Sequence, residues 1–189
     1  MRKLRVVLGL FLGAVLLSSC SLIPQSKGPV TVAKEKVPFG LLDKNIPGTN
    51  TSVQFTQTPV YLVRAGRLVV SHRVVTSPVQ VVDALNQLLL RVSEKESAAH
   101  LRTAIPRGLQ ILQVSVLNGV ARVNLAASIL AFNLLENPVA VGQVVLTAQA
   151  AGARSGVVFA IEGVSQDAMV PSGTTVPHVY GYQYSRLVN

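Results

Sequence analysis

The chain has 189 residues and a formal charge of +9, with 49% hydrophobic, 13% charged and 5% aromatic residues, one cysteine and no tryptophan. That length and the Val, Leu and Ala content argue for one packed domain with a proper core rather than disorder. A lone cysteine argues against an internal disulfide or a thiolate metal centre. Scattered basic residues, with aromatics gathered at Tyr180, Tyr182 and Tyr184, argue against a nucleic-acid partner.

The N-terminus has Arg2, Lys3 and Arg5 ahead of the apolar run from Val6 to Leu17, the build of a secretory signal. As a helix, a run of this length reaches roughly 18 Å against about 30 Å of hydrocarbon, so it reads as a leader that is removed. Leu17-Ser18-Ser19-Cys20 resembles the bacterial lipobox, in which a lipid is attached to the cysteine thiol before cleavage in front of it. Cleavage would fall between Ser19 and Cys20, leaving Cys20 as a lipidated first residue. The competing readings are a plain secretory signal with an incidental cysteine and a catalytic thiol. The latter needs a cationic or helix-terminal setting, and the nearest histidine in sequence is His72. The resulting expectation is a protein held by its lipid on the extracytoplasmic face of the cell membrane. Apart from the diacylglycerol or fatty acyl group on Cys20, no cofactor and no metal are expected.

Removing residues 1–19 leaves 14 Lys and Arg against 8 Asp and Glu, a charge of about +6. Residues 20–54 read as a tether, broken by Pro24, Pro29, Pro38 and Pro47. Within it Lys27, Lys34, Lys36 and Lys44 would be attracted to anionic headgroups at up to roughly 1 kcal/mol each. Val37-Pro-Phe-Gly-Leu-Leu42 is too apolar for a spacer and is expected to dock on the domain, which is assigned to residues 55–189.

The first ordered unit is a hairpin, Val60–Arg64 and Arg67–Val75 about Ala65-Gly66. A helix is expected next, with Ser77 as N-cap, Pro78 at its first position and Gln80 completing a capping box. Val82, Leu85, Leu89 and Val92 would form its apolar face, opposite Gln80, Asp83, Gln87 and Arg91. Ser93–Ser97 reads as a charged loop. Asn118-Gly119 is a type I′ turn signal, and it pairs Val116 with Ala121, Val114 with Val123 and Leu112 with Leu125 on one face. Ser115 would then face Arg122, and Gln113 would face Asn124, on the other. Asn137-Pro138 opens a second helix through Gln149, although its valines also suit a buried strand, and Gly142 would allow close packing. Val157–Ile161 reads as an interior strand, and an edge strand is expected near Tyr180–Tyr184. The order hairpin, helix, hairpin, helix, strand defines an α+β fold, a mixed or antiparallel sheet of about five strands with two helices on one face.

Thr103-Ala-Ile-Pro-Arg-Gly108, Val120–Leu125, Gln143-Val-Val-Leu-Thr147 and Val157–Gly163 come in the order and spacing of the GerMN domain, which the chain resembles over roughly residues 37–189. Val37–Leu42 is similar to a segment that precedes the domain in lipoproteins of high-G+C Gram-positive bacteria. Gln183, Tyr184 and Leu187 partly match the family's closing residues. Arg91-Val92 stands where a Gly-Pro is usual, and Asn124 and Gln183 stand where aspartates are usual. The resemblance implies a non-catalytic interaction module of envelope assemblies in sporulating cells, with a protein partner in the envelope.

Acyl-transfer chemistry would need a nucleophile, base and orienting acid together, yet His72, His100 and His178 are widely separated and no Gly-x-Ser-x-Gly occurs. Wall hydrolysis would need two placed carboxylates. Asp83, Glu94 and Glu96 read as solvated, and Glu162 as a turn residue beside Gly163. The chain is therefore expected not to be an enzyme. Two functions remain: an anchored protein-interaction module, or a binder of an anionic envelope polymer. Arg64, Arg67 and Arg73 are the candidate interaction surface.

Overall fold

A computed structural model describes residues 53–189. The leader, Ser19, Cys20 and the segment Val37–Leu42 lie outside the described residues. The α+β expectation holds, and the elements come in the expected order.

The first hairpin pairs β1 (Phe55–Arg64) with β2 (Arg67–Thr76); its turn is where expected, while β1 begins at Phe55 rather than Val60 and β2 ends at Thr76 rather than Val75. Ala65 and Gly66 both have positive φ, 49° and 78°, which is the type I′ turn that matches strand twist. Thr58, Val60 and Leu62 alternate inward and are buried. The outer edge of β1 is sealed in three ways. Pro59 has no N–H to leave unpaired, Tyr61 is bonded by helix side chains, and Val63 exchanges two 2.8 Å backbone bonds with Arg102.

The helix that follows, α1, spans Val81–Leu89 and not the range from Ser77. Gln80 is still extended (φ −103°, ψ 150°) and no side chain caps the helix, so the expected Ser77–Gln80 capping box is absent. The buried face also differs from the expected one. Val81, Ala84, Leu85 and Leu88 are buried, while Val82 points outward and Val92 lies past the end. The capping box belongs instead to Ser93 and Glu96, where the segment read as a loop forms α2 (Glu94–Ala98).

The second hairpin, β3 (Ile111–Leu117) with β4 (Val120–Leu125), has the expected register from Gln113 to Val120. A bulge between Ile111 and Gln113 then makes Ile111, not Leu112, the partner of Leu125, and Leu112 turns half outward. A short helix the sequence reading did not contain, α3 (Ile129–Leu135), starts where the Ser128 hydroxyl accepts from Ala131 N. It leads into α4 (Pro138–Ala150), capped by Asn137, whose Oδ1 accepts from Val139 N at 3.0 Å and Ala140 N at 3.3 Å. Pro138 occupies its first turn as expected.

Helix α4 is buried on all sides from Val141 to Ala148, which explains its apolar sequence without a polar face. Its two buried polar side chains close the edge of β1. Gln143 Nε2 donates to Tyr61 O at 2.7 Å, and Tyr61 N donates to Thr147 Oγ1 at 3.0 Å. Gln143 Oε1 also accepts from Ala104 N at 2.7 Å, fixing the 101–107 loop to the same helix.

Strand β5 (Val157–Ile161) pairs parallel to β4, and β6 (Val164–Gln166) returns antiparallel, giving a four-stranded sheet in the order β3-β4-β5-β6. The expected edge strand at Tyr180–Tyr184 is a 3-10 helix, Gly181–Leu187, preceded by the small β7 (Ala168–Met169) and β8 (Thr175–Val176) pair. A turn rather than a strand suits this segment because Gln183 Oε1 folds back to accept from Tyr180 N at 2.7 Å. Fully buried Tyr184 enters the core there and donates to Met169 O at 3.1 Å.

Candidate functional site

The three arginines expected to form one surface are divided by the structure. Arg64 and Arg67 face each other across the turn of the first hairpin and are exposed, and Arg67 Nη1 donates to Arg186 O at 3.3 Å. Arg73 lies farther along β2, opposite buried Thr58, and so turns to the inner face of the hairpin. It does not belong to an exposed interaction surface.

Arg73 instead binds two elements together. Its Nε reaches Glu96 Oε1 at 3.1 Å and its Nη2 reaches Glu96 Oε2 at 2.8 Å, a fork matched to a carboxylate. Its Nη1 donates to Gln87 O and, at 3.4 Å, to Leu90 O, while Nη2 reaches Arg91 O at 3.4 Å. A cation thus bonds carbonyls at and just past the C-terminus of α1, Gln87 O among them, which also accepts from Leu90 N, and it complements the helix dipole.

Glu96, read from sequence as solvated, is buried, with its side chain only 9% exposed, like that of Arg73. Beyond the arginine it accepts from Ser71 Oγ at 2.8 Å, Ser93 N at 2.8 Å and Ser93 Oγ at 3.0 Å. Burial works to raise its pKa. Hydrogen bonds from Arg73, Ser93 and Ser71, with the Arg73 charge, outweigh that and lower it from 4.5 to about 2. A carboxylate held so far below neutrality and engaged at both oxygens is unsuited to proton transfer.

That depression has a measurable sign. A group whose folded pKa lies below its unfolded value stabilises the fold above the unfolded value and loses that contribution as pH falls to the folded one. Glu96 therefore contributes in full above pH 4.5 and loses its share between 4.5 and about 2. At 1.36 kcal/mol per unit, the amount is on the order of 3 kcal/mol. Thermal melts across this window should show a steeper decline for the native chain than for Glu96→Gln. Equal slopes would refute the assignment.

Glu162 and Asn124 also do structural work. Glu162 and Gly163 form a turn at φ 46° and 81°, and the Glu162 carboxylate accepts from Ala127 N at 3.0 Å. Asn124 Oδ1 accepts from Gly163 N at 2.8 Å, an acceptor role an aspartate would also fill. Among the described residues, no three His, Cys, Asp or Glu side chains come together.

Two adjoining open grooves lie at the C-terminal end of α1, and the Arg73–Glu96 pair lines the first. One, of about 670 Å³, is bounded by His72, Arg73, Arg91, Lys95 and Glu96. The other, of about 490 Å³, is bounded by Leu89, Leu90, Arg91, Val92, Arg102, Pro106 and Arg107. They adjoin at Leu90, Arg91 and Leu101.

These features define an α+β domain whose buried polar groups hold its own elements together and whose open concavities are basic. The chain belongs to the Germane family of sporulation and spore germination, which matches residues 49–167. Among solved structures, the tandem GerMN domains of the sporulation protein GerM from Bacillus subtilis are similar in fold, with a TM-score of 0.50 and 16% sequence identity. That likeness covers 67% of this chain, while the chain spans 46% of the GerM structure. No curated protein matches the chain. The GerMN resemblance read from the sequence is thereby upheld. The family match ends before β7, yet the segment beyond it supplies Tyr184 to the core.

Proposed function

We propose that the chain is a membrane-anchored, extracytoplasmic lipoprotein whose Germane domain is a non-catalytic protein-interaction module of a cell-envelope assembly. The observation that carries the reading is the use made of the interior polar groups. Among the described residues four polar side chains are buried, Thr58, Glu96, Gln143 and Thr147, and the last three are bonded to the domain's own strands, caps and loops. Membership of a sporulation and germination family supports the envelope setting, and the leader-like segment 1–19 directly before Cys20 supports the anchor. A binder of anionic polymer through Arg64, Arg67 and Arg73 is the weaker alternative, because Arg73 is taken by Glu96.

The anchor has a direct test. Cys20→Ala should abolish incorporation of a clickable fatty acid in a bacterial host and move the protein from the membrane pellet to the soluble fraction. Labelling that persists in the variant would overturn the lipidation.

A further inference from the structure

We propose that the groove between the C-terminal end of α1 and the 101–107 loop receives a partner-protein segment carrying carboxylates beside aliphatic or aromatic side chains. The inference rests on the interaction-module reading and gives that module a place and a partner chemistry. It also moves the basic surface away from the hairpin turn where the sequence had put it.

Charge is concentrated here. Residues 53–189 contain ten Lys and Arg against six Asp and Glu. Five of those cations, Arg73, Arg91, Lys95, Arg102 and Arg107, border the two adjoining grooves, where the single carboxylate is Glu96. Arg73 neutralises it at 2.8 Å. The other four cations are exposed, and none makes an ion pair with a described residue. Glu94, on the same short helix as Lys95, does not border either groove. The groove beside the 101–107 loop is itself bordered by Arg91, Arg102 and Arg107 and by no carboxylate of the described residues, so an anion entering it meets positive charge from two separate stretches of chain, which strengthens the local potential and steers encounter.

The apolar component selects among anions. Leu90 is 54% exposed at the end of α1, and Leu89, Val92 and Pro106 beside it are only partly covered. A phosphate polymer or lipid headgroup would pair with the arginines and leave these side chains wet. A peptide with a carboxylate next to an apolar side chain engages both, the arginines by forked hydrogen bonds and Leu90 by burial. The groove's backbone is anchored from beneath, with Ala104 N held by Gln143 and Arg102 paired to Val63. Such a floor is preorganised, so little ordering is needed on binding.

The test uses the full chain in neutral detergent to select from a random dodecapeptide library displayed on phage. Selected sequences should be enriched in Asp and Glu adjacent to Leu, Ile or Phe. Their synthetic peptides should bind roughly tenfold or more weakly to Arg91→Gln/Arg107→Gln, and weaken as salt shortens the range of the charges. Arg64→Gln/Arg67→Gln, at residues that border neither groove, should leave binding nearly unchanged, and thermal melts should show both variants folded. No acidic enrichment, or binding indifferent to Arg91 and Arg107, overturns the proposal. So does preferential, arginine-dependent binding of phosphatidylglycerol vesicles or polyphosphate, which would assign the groove to a headgroup or polymer. A photoreactive residue at Leu90, with a second at Arg64, separates the two levels in cells. Protein crosslinks from Arg64 alone would sink the groove but keep the interaction module, whereas none from either position would sink both.

Discussion

Glu96→Ala should destabilise the domain by about 3–5 kcal/mol, the range for removing one partner of a buried ion pair. The loss is large because the substitution strands more than a charge. Arg73 keeps its position between the two strands and α1 with its side chain 9% exposed, and a guanidinium cannot shed its proton to escape burial. Ser71 Oγ, Ser93 N and Ser93 Oγ lose their acceptor at the same time. Arg73→Ala should cost a similar amount by a different route, since it uncaps the carbonyls of Gln87, Leu90 and Arg91 as well as freeing Glu96. Arg73→Lys should recover little, because an ammonium offers no fork for both carboxylate oxygens and the helix end together.

Urea unfolding of the two single variants and the double variant forms the decisive cycle. The double variant should lie far above the sum of the singles, because it removes the stranded charge that makes each single so costly. Additive losses would mean that the pair is not coupled, and a loss below about 1 kcal/mol for Glu96→Ala would place it with surface ion pairs. The acid sensitivity argued for Glu96 should vanish in the same double variant.

The features that were legible in the sequence are those decided by neighbours in sequence. Asn118-Gly119 sets its own turn, and Asn137-Pro138 sets its own helix start, so both were readable locally. Ser93 and Glu96 carry the same kind of local signal, Ser-x-x-Glu, but Ser77-Pro78-Val79-Gln80 carries it too, with a proline at the favoured position. Pattern alone could not rank them. The structure assigns the box to Ser93, whose hydroxyl accepts from Glu96 N at 3.2 Å. The role of Arg73 was illegible for a stronger reason. In a strand that alternates as Ser71-His72-Arg73-Val74, an arginine reads as surface unless a carboxylate folds over it. That carboxylate arrives 23 residues later, on a helix the sequence reading took for a loop. The basic groove was missed on the same ground, since Arg91, Arg102 and Arg107 are made neighbours only by the packing of the 101–107 loop against α1 and α4. The 3-10 helix at Tyr184 combines the local Gln183–Tyr180 bond with the packing of Tyr184 on Gly142 of distant α4, and alternation of the tyrosines alone reads as an edge strand.

Tyr184→Ala should cost about 3–5 kcal/mol, as for other large aromatic truncations in a packed core. Tyr184 is fully buried, and burial pushes its hydroxyl pKa upward, so it remains a neutral donor to Met169 O at 3.1 Å. Removing only that hydroxyl, with Tyr184→Phe, should cost about 1 kcal/mol, which separates the hydrogen bond from the ring. The ring packs on Gly142, where an added Cβ would lie 2.7 Å from Tyr184 Cδ1 and 2.9 Å from Leu68 Cδ1. Both neighbours are completely enclosed and have little room to move. Two effects therefore compete at Gly142→Ala. Helix propensity favours alanine in the middle of α4 by about 1 kcal/mol, and overpacking opposes it by about 1–3 kcal/mol. Crowding should win in the native chain, leaving Gly142→Ala destabilising. In the Tyr184→Ala background the ring is gone and the Leu68 methyl can move into the vacated space, so the same substitution should become stabilising. This change of sign, read as the shift of the urea midpoint, distinguishes a glycine kept for close approach from one that is merely tolerated. If Gly142→Ala stabilises the native chain, the close packing of α4 against the C-terminal turn is not what selects glycine there.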